Sequence, residues 1–172
     1  MKKIFGLVAS LTAIAAVCAA VLSFVHSLTK GPIGEMKVRQ ENDAARAVMP
    51  AGVETVEKTG ELFVGKDGSG APVGYAVVGR DSGGYGGDIE LMVGFGRDRK
   101  TVIAYRKLVA NETPGLGSKL STVEFSGQFH GKDASRKLAV KKDGGEIEAI
   151  TSATITSRAV CRAIADAQAK LR

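Results

Sequence analysis

Glu146-Ile147-Glu148-Ala149-Ile150-Thr151-Ser152-Ala153-Thr154-Ile155-Thr156-Ser157 is the stretch on which the reading of this chain turns. Glu146 to Ile150 reads as a strand. Thr154 to Leu171 reads as a helix, with Ala159, Val160, Ala163, Ile164, Ala167 and Leu171 forming one apolar stripe. Hydroxyl-bearing and small residues crowd the point where one gives way to the other. A helix N-terminus presents unpaired N–H groups and partial positive charge, a natural seat for a phosphate. A Thr hydroxyl there could anchor that phosphate covalently. The competing reading is a Ser/Thr helix cap and nothing more.

Upstream, glycines and Pro72 punctuate short strands. Val73 to Val78 is one. Ile89, Leu91, Val93 and Phe95 alternate with Asp88, Glu90 and Met92, the pattern of a half-buried strand. Gly96 to Lys100 is a turn, its Arg97-Asp98-Arg99-Lys100 cluster solvated, and Thr101 to Val109 is the returning strand. Leu116 to Phe125 reads as a short helix, and Leu138 to Val140 as a further late strand. Gly34 to Met49 reads as a helix stopped by Pro50. Hairpins mixed with a few helices argue an α+β fold of antiparallel strands rather than a repeating βαβ sheet.

Ile4 to Leu28 is apolar and holds no Asp, Glu, Lys or Arg. Its length gives roughly 37 Å as a helix, enough to cross a hydrocarbon core of about 30 Å. Lys2 and Lys3 precede it, so the N-terminus is expected in the cytoplasm. A cleaved signal peptide is the competing reading, but its apolar region runs only roughly 7–15 residues. The expected division is 1–30 as cytoplasmic N-terminus and transmembrane anchor, ending at Lys30-Gly31-Pro32, and 31–172 as an extracytoplasmic domain. The net charge is +6; setting aside Lys2, Lys3 and Lys30 takes the 24 basic residues to 21, against 18 acidic. That surplus is too mild and dispersed for nucleic-acid binding. Cys18 and Cys161 fall in the apolar run and the last helix, which argues against a disulfide, and no His/Cys spacing suggests a metal site.

Two more segments carry chemistry. Ser82-Gly83-Gly84-Tyr85-Gly86-Gly87-Asp88 holds four glycines that let backbone approach a planar ligand, and Tyr85 could stack on one. It lacks the order of a dinucleotide fingerprint and also reads as a hairpin loop. Asn111-Glu112-Thr113-Pro114-Gly115-Leu116-Gly117 fixes a turn at Pro-Gly, and also reads as a plain connector.

These segments together resemble the FMN-binding domain family, over roughly Gly74 to Leu171. Glu112 to Gly117 matches one family signature in six consecutive residues, and Thr151-Ser152-Ala153-Thr154 resembles its flavin-attachment core. Ser152 stands where the family usually has Gly, Glu148 near its usual Asp, and Ala110 where many members have His. Within the family the chain is similar to the G subunits of Rnf electron-transport complexes, and less so to the longer C subunits of sodium-pumping NADH:quinone oxidoreductases. The resemblance implies FMN joined by a phosphoester to Thr154. It implies a pocket built from Tyr85, Gly86, Glu112, Thr113, Gly115, Leu116, Ser152, Ala153 and Thr156. Arg158, one helical turn beyond Thr154, either pairs with the phosphodiester or is a surface arginine. Implied partners are the other membrane subunits of the complex and a flavin transferase using FAD and magnesium, since a Thr hydroxyl needs activation and no His or Cys lies nearby in sequence. The remaining alternative is an anchored, cofactor-free ligand-binding or scaffold domain.

Overall fold

The computed structural model describes residues 2–171, and the side chains of Lys2 and Lys3, on which the orientation expectation rests, lie outside it. The chain forms two compact units, residues 1–40 and 41–172. Helix α1 (Lys2–Val48) runs through the first and into the second. It is the one helix among the described residues long and apolar enough to cross a membrane. Its most apolar window has a mean hydropathy of 2.4, and none of that window is buried. The apolar segment expected to end at Lys30-Gly31-Pro32 and the helix expected over Gly34–Met49 are one continuous helix, with Pro32 inside it. Proline removes one backbone donor, but the remaining bonds of so long a helix keep it continuous.

The second unit is an α+β domain. Strands β1 (Thr55–Thr59), β2 (Leu62–Lys66), β3 (Pro72–Gly84), β4 (Gly87–Gly96) and β5 (Val102–Ala110) form one antiparallel sheet in chain order. The expected strands at Val73–Val78, Ile89–Phe95 and Thr101–Val109 are its centre and far edge. In the turn after β4, Asp98 Oδ1 accepts the N–H groups of Lys100 and Thr101.

Helix α3 (Thr154–Ala169) lies on one sheet face. All six residues of its expected stripe are buried, against Val77, Leu91, Val93 and Phe95 of the sheet. Contact is close enough that a Cβ on Gly79 would fall 2.0 Å from Ala163 O, so only glycine fits there. Polar ties hold the helix in register. The Arg80 N–H donates to Asp166 Oδ2 at 2.9 Å, and Lys170 Nζ to Val78 O at 2.8 Å.

Three expectations are corrected. Strand β4 is covered on both faces where half-burial was expected. Met92 is buried with Phe63, Ala76 and Val78 under Ala44, Ala45 and Val48 from the end of α1. The single helix expected over Leu116–Phe125 is broken. A 3₁₀ turn (Gly117–Ser121), helix α2 (Val123–Ser126) and a second 3₁₀ turn (Gly127–Phe129) follow one another, with Thr122 extended between the first two. The late strands at Leu138–Val140 and Glu146–Ile150 reduce to one parallel bridge, Val140 to Ile147. Beyond it the Gln128 side chain takes over the backbone of Glu148, accepting its N–H at 2.7 Å and donating to its carbonyl at 3.2 Å. A strand needs those groups for its neighbour.

Candidate functional site: a cleft at the start of the last helix

Three segments far apart in sequence meet at one cleft of about 460 Å³. That volume falls within the roughly 300–1,000 Å³ of small-ligand sites. The β3–β4 hairpin contributes Tyr85 at its tip. The Pro-Gly turn contributes Glu112, Thr113, Leu116 and Gly117. The opening of α3 contributes Ser152, Ala153, Thr154, Ile155 and Thr156.

The hairpin turns through Tyr85 and Gly86, closed by the pairing of Gly84 with Gly87. Its base is held to α3 by Arg162, whose Nε and Nη2 donate to the two oxygens of Asp81 at 2.8 Å each. That bidentate bond holds the Asp81 carboxyl below its ordinary range. The tip passes directly over the Pro-Gly turn: a Cβ on Gly86 would meet Asn111 O at 1.6 Å. The turn itself folds on Gly115 in the left-handed region, and the Gly115 N–H donates to Ser118 Oγ at 2.9 Å. Tyr105 donates its hydroxyl to Leu120 O, and its ring packs edge-on against Phe129, which fixes the 3₁₀ turn behind Leu116.

The handover into α3 is shaped by Ser157. Its hydroxyl accepts the Ile150 N–H at 2.9 Å and donates to Ala153 O at 2.9 Å, and the Ala153 N–H closes back on Ile150 O. In the loop so formed Ser152 sits at φ 62, a conformation that favours glycine. Ala153 is the helix cap residue and makes no side-chain capping bond. Thr154 is therefore not the cap. It is the first helical residue, half-buried in the cleft wall. Ser157 is the first residue whose N–H bonds back along the helix, to Ala153 O, so the N–H groups of Thr154 to Thr156 belong to the open end.

The wall is largely apolar. Tyr85 is 71% exposed, Ile155 49% and Leu116 42%, uncovered side chains that a bound ring would bury. A phosphate at the helix end and a planar ring on the apolar wall suit this donor set and shape.

Among the residues expected in the pocket, Tyr85, Glu112, Thr113, Leu116, Ser152, Ala153, Thr154 and Thr156 line the cleft. Gly86 and Gly115 shape its backbone from behind. Arg158 does not line it: its Nε and Nη2 grip Asp143 at 2.7 Å each. Glu148 pairs with Lys141. Sequence reasoning did not single out Ile155 and Ser157 as site residues. Ser157 carried one signal, a hydroxyl within the first turns of a helix, where it competes for backbone bonds.

Fold and cleft define a class: an α+β domain, continuous with an apolar helix, with a ligand-sized cleft at the start of its last helix. The chain belongs to the FMN-binding domain family, whose model matches residues 84–169. It is 32% identical to the G subunit of the ion-translocating oxidoreductase complex of Methanosarcina acetivorans, over 95% of this chain and 92% of that one. It is 34% identical to the G subunit of the Na⁺-translocating ferredoxin:NAD⁺ oxidoreductase complex of Acetobacterium woodii, over 92% and 87%. Among solved structures it is similar to the C subunit of the Na⁺-translocating NADH-quinone reductase of Parabacteroides distasonis. The TM-score is 0.52 and the identity 26%, over 64% of this chain and 60% of that one. The Shewanella oneidensis NqrC structure, 22% identical with a TM-score of 0.52, shows the same fold.

Proposed function

We propose that this chain is an electron-carrying flavoprotein subunit of an ion-translocating Rnf-type ferredoxin:NAD oxidoreductase complex, with FMN joined through its phosphate to Thr154. The observation that carries this reading is the position of Thr154. It is the first residue of a helix with no side-chain cap, and it lies in the wall of an apolar cleft. Family membership and the G-subunit relatives support it. Those relatives match nearly the whole chain, which favours this reading over the C subunit of a sodium-pumping NADH:quinone oxidoreductase.

Bound there, FMN supplies one- and two-electron transfer. The chain's own residues hold and shield it. The open N–H groups at the start of α3 bind phosphate oxygens, and Tyr85, Leu116 and Ile155 supply the surface on which a planar ring packs. Thr154 Oγ1 would be the acceptor of the flavin-side phosphoryl group of FAD, with AMP as the leaving group and a base of a separate flavin transferase taking the hydroxyl proton. A covalent tether suits a site outside the cytoplasm, where a dissociated cofactor has no pool to replace it.

In the proposed topology residues 1–30 form the cytoplasmic N-terminus and a retained anchor in the plasma (inner) membrane, and 31–172 the outer domain. In intact cells an impermeant thiol reagent then labels a cysteine engineered in the Gly65 to Gly70 loop but not one at Lys3; the opposite pattern reverses the orientation. For the cofactor, the chain is produced with a flavin transferase and run on a denaturing gel. The wild-type band fluoresces under ultraviolet light, Thr154→Ala is dark, and Thr151→Ala, Thr156→Ala and Ser157→Ala keep some flavin. A fluorescent Thr154→Ala band would overturn the assignment, and a dark wild-type band would favour the cofactor-free scaffold.

A further inference from the structure

Glu112 is the residue on which the three segments of the cleft converge. Its carboxylate reaches in two directions. Oε2 accepts the Thr156 hydroxyl at 2.8 Å, and Oε1 accepts the Gly86 N–H at 3.4 Å. Thr156 is fully buried, and Glu112 is its side chain's partner. The surroundings are fitted to this carboxylate. A Cβ on Gly117 would fall 2.3 Å from Oε2, so the glycine of the Pro-Gly turn leaves the space that the Glu112 side chain fills; at Gly84 a Cβ would meet Gly87 O at 2.4 Å before reaching Oε1 at 3.0 Å. One side chain thereby joins the hairpin tip bearing Tyr85, its own turn bearing Leu116, and the first turn of α3 bearing Thr154.

We infer that Glu112 is a positioning residue: it latches the hairpin tip and the first turn of α3 together, and so presents the Thr154 hydroxyl and the open helix end in the geometry that flavin attachment requires. The inference rests on the flavin reading above. It assigns Glu112 a task carried out through Thr156 and Gly86, with no direct bond to flavin needed. Thr154 and Thr156 share the first turn of α3, so whatever fixes one fixes the backbone of the other. A displacement of reacting atoms by about 1 Å can cost roughly a hundredfold in rate. The buried Thr156 hydroxyl loses its Glu112 partner when this bond is cut.

Geometry rather than charge does this, so the conservative variant is informative. In Glu112→Gln the amide oxygen keeps the Gly86 N–H, and the amide nitrogen can donate to Thr156 Oγ1. Glu112→Ala loses both arms, and Thr156→Val loses one.

The test has two readouts on the full-length chain. The first is the rate of flavin attachment, followed by intact mass with a flavin transferase, FAD and magnesium. Glu112→Ala is expected to load roughly tenfold or more slowly, and Thr156→Val also slowly. Glu112→Gln loads within about threefold of wild type, and Glu112→Ala/Thr156→Val is no slower than Glu112→Ala alone. The second readout is amide hydrogen exchange in the flavin-free Thr154→Ala background. Adding Glu112→Ala speeds exchange at Gly84 to Gly87 and at the start of α3, while the strands β3 and β4 away from the tip are unchanged. Failure of the wild type to load sinks the flavin reading and leaves the latch to be decided by exchange. A wild type that loads while Glu112→Ala loads equally fast overturns the positioning role. So does unchanged exchange at both segments, and so does a Glu112→Gln variant as slow as Glu112→Ala.

Discussion

Two clefts of nearly equal size open on this domain, and their walls differ in kind. The one at the start of α3 measures about 460 Å³, the one between Gly131 and Ile147 about 480 Å³. The first is lined by Tyr85, Leu116, Ile155, hydroxyls and an open helix end. The second has Leu138, Ala139 and Ile147 beside five charged residues, Lys132, Asp133, Arg136, Lys137 and Glu146, most of which are paired: Lys132 with Glu146 and Arg136 with Asp133. The Lys132 bond holds the Glu146 carboxyl below its ordinary range, and the Ser135 hydroxyl and N–H do the same for Asp133, with Arg136 adding a smaller part. Exposed pairs of this sort contribute little to stability and offer a ligand little that water does not. Volume therefore fails to separate the two clefts, and the chemistry of the wall separates them at once.

The contrast can be broken by moving charge between them. Leu116→Asp puts a carboxylate on the apolar wall. It is expected to lower flavin attachment at least tenfold, or to shift the flavin absorption spectrum, while the domain stays folded by circular dichroism. Arg136→Ala, in the other cleft, leaves attachment and spectrum unchanged. Equal effects from the two substitutions would show that the apolar wall is not the flavin surface.

Backbone strain sharpens the same comparison with a smaller effect. Each cleft has left-handed backbone in its wall, Ser152 at φ 62 in the first and Gly131 at φ 74 and Gly144 at φ 80 in the second. In the second cleft glycine already occupies that conformation, so Gly144→Ala should cost about 1–2 kcal/mol in denaturant unfolding. In the first, Ser152→Gly relieves strain and should gain up to about 1 kcal/mol, reduced by the greater freedom of glycine in the unfolded chain. A destabilised Ser152→Gly would mean that the serine hydroxyl makes up for its own conformation.

Legibility followed the distance over which each signal acts. Helix α3 was readable because its apolar stripe repeats at helical spacing over several turns, and all of that stripe is buried. The three cleft segments were readable as local motifs of glycine, proline and hydroxyl residues. Their union was not. The Thr156–Glu112 bond joins residues 44 apart, and no periodicity connects a turn to a helix across that span. The covered second face of β4 was hidden likewise. Met92 is buried by Ala44, Ala45 and Val48, and no local pattern paired the helix expected over Gly34–Met49 with that strand. The continuity of α1 through Pro32 ran against a sound local rule, and the late strands failed because a glutamine side chain captured the backbone that a ladder would have used.

The central claim is that the open start of α3 carries flavin on one named hydroxyl. It is tested most directly by locating the modification in the protein made with its transferase. Trypsin cuts after Lys142 and Arg158, releasing residues 143–158, a peptide holding Thr151, Ser152, Thr154, Thr156 and Ser157. Fragmentation is expected to place a single FMN phosphoester on Thr154, with the other four hydroxyls free. An unmodified peptide from fully transferase-treated protein, or flavin on any of the other four, would contradict the account.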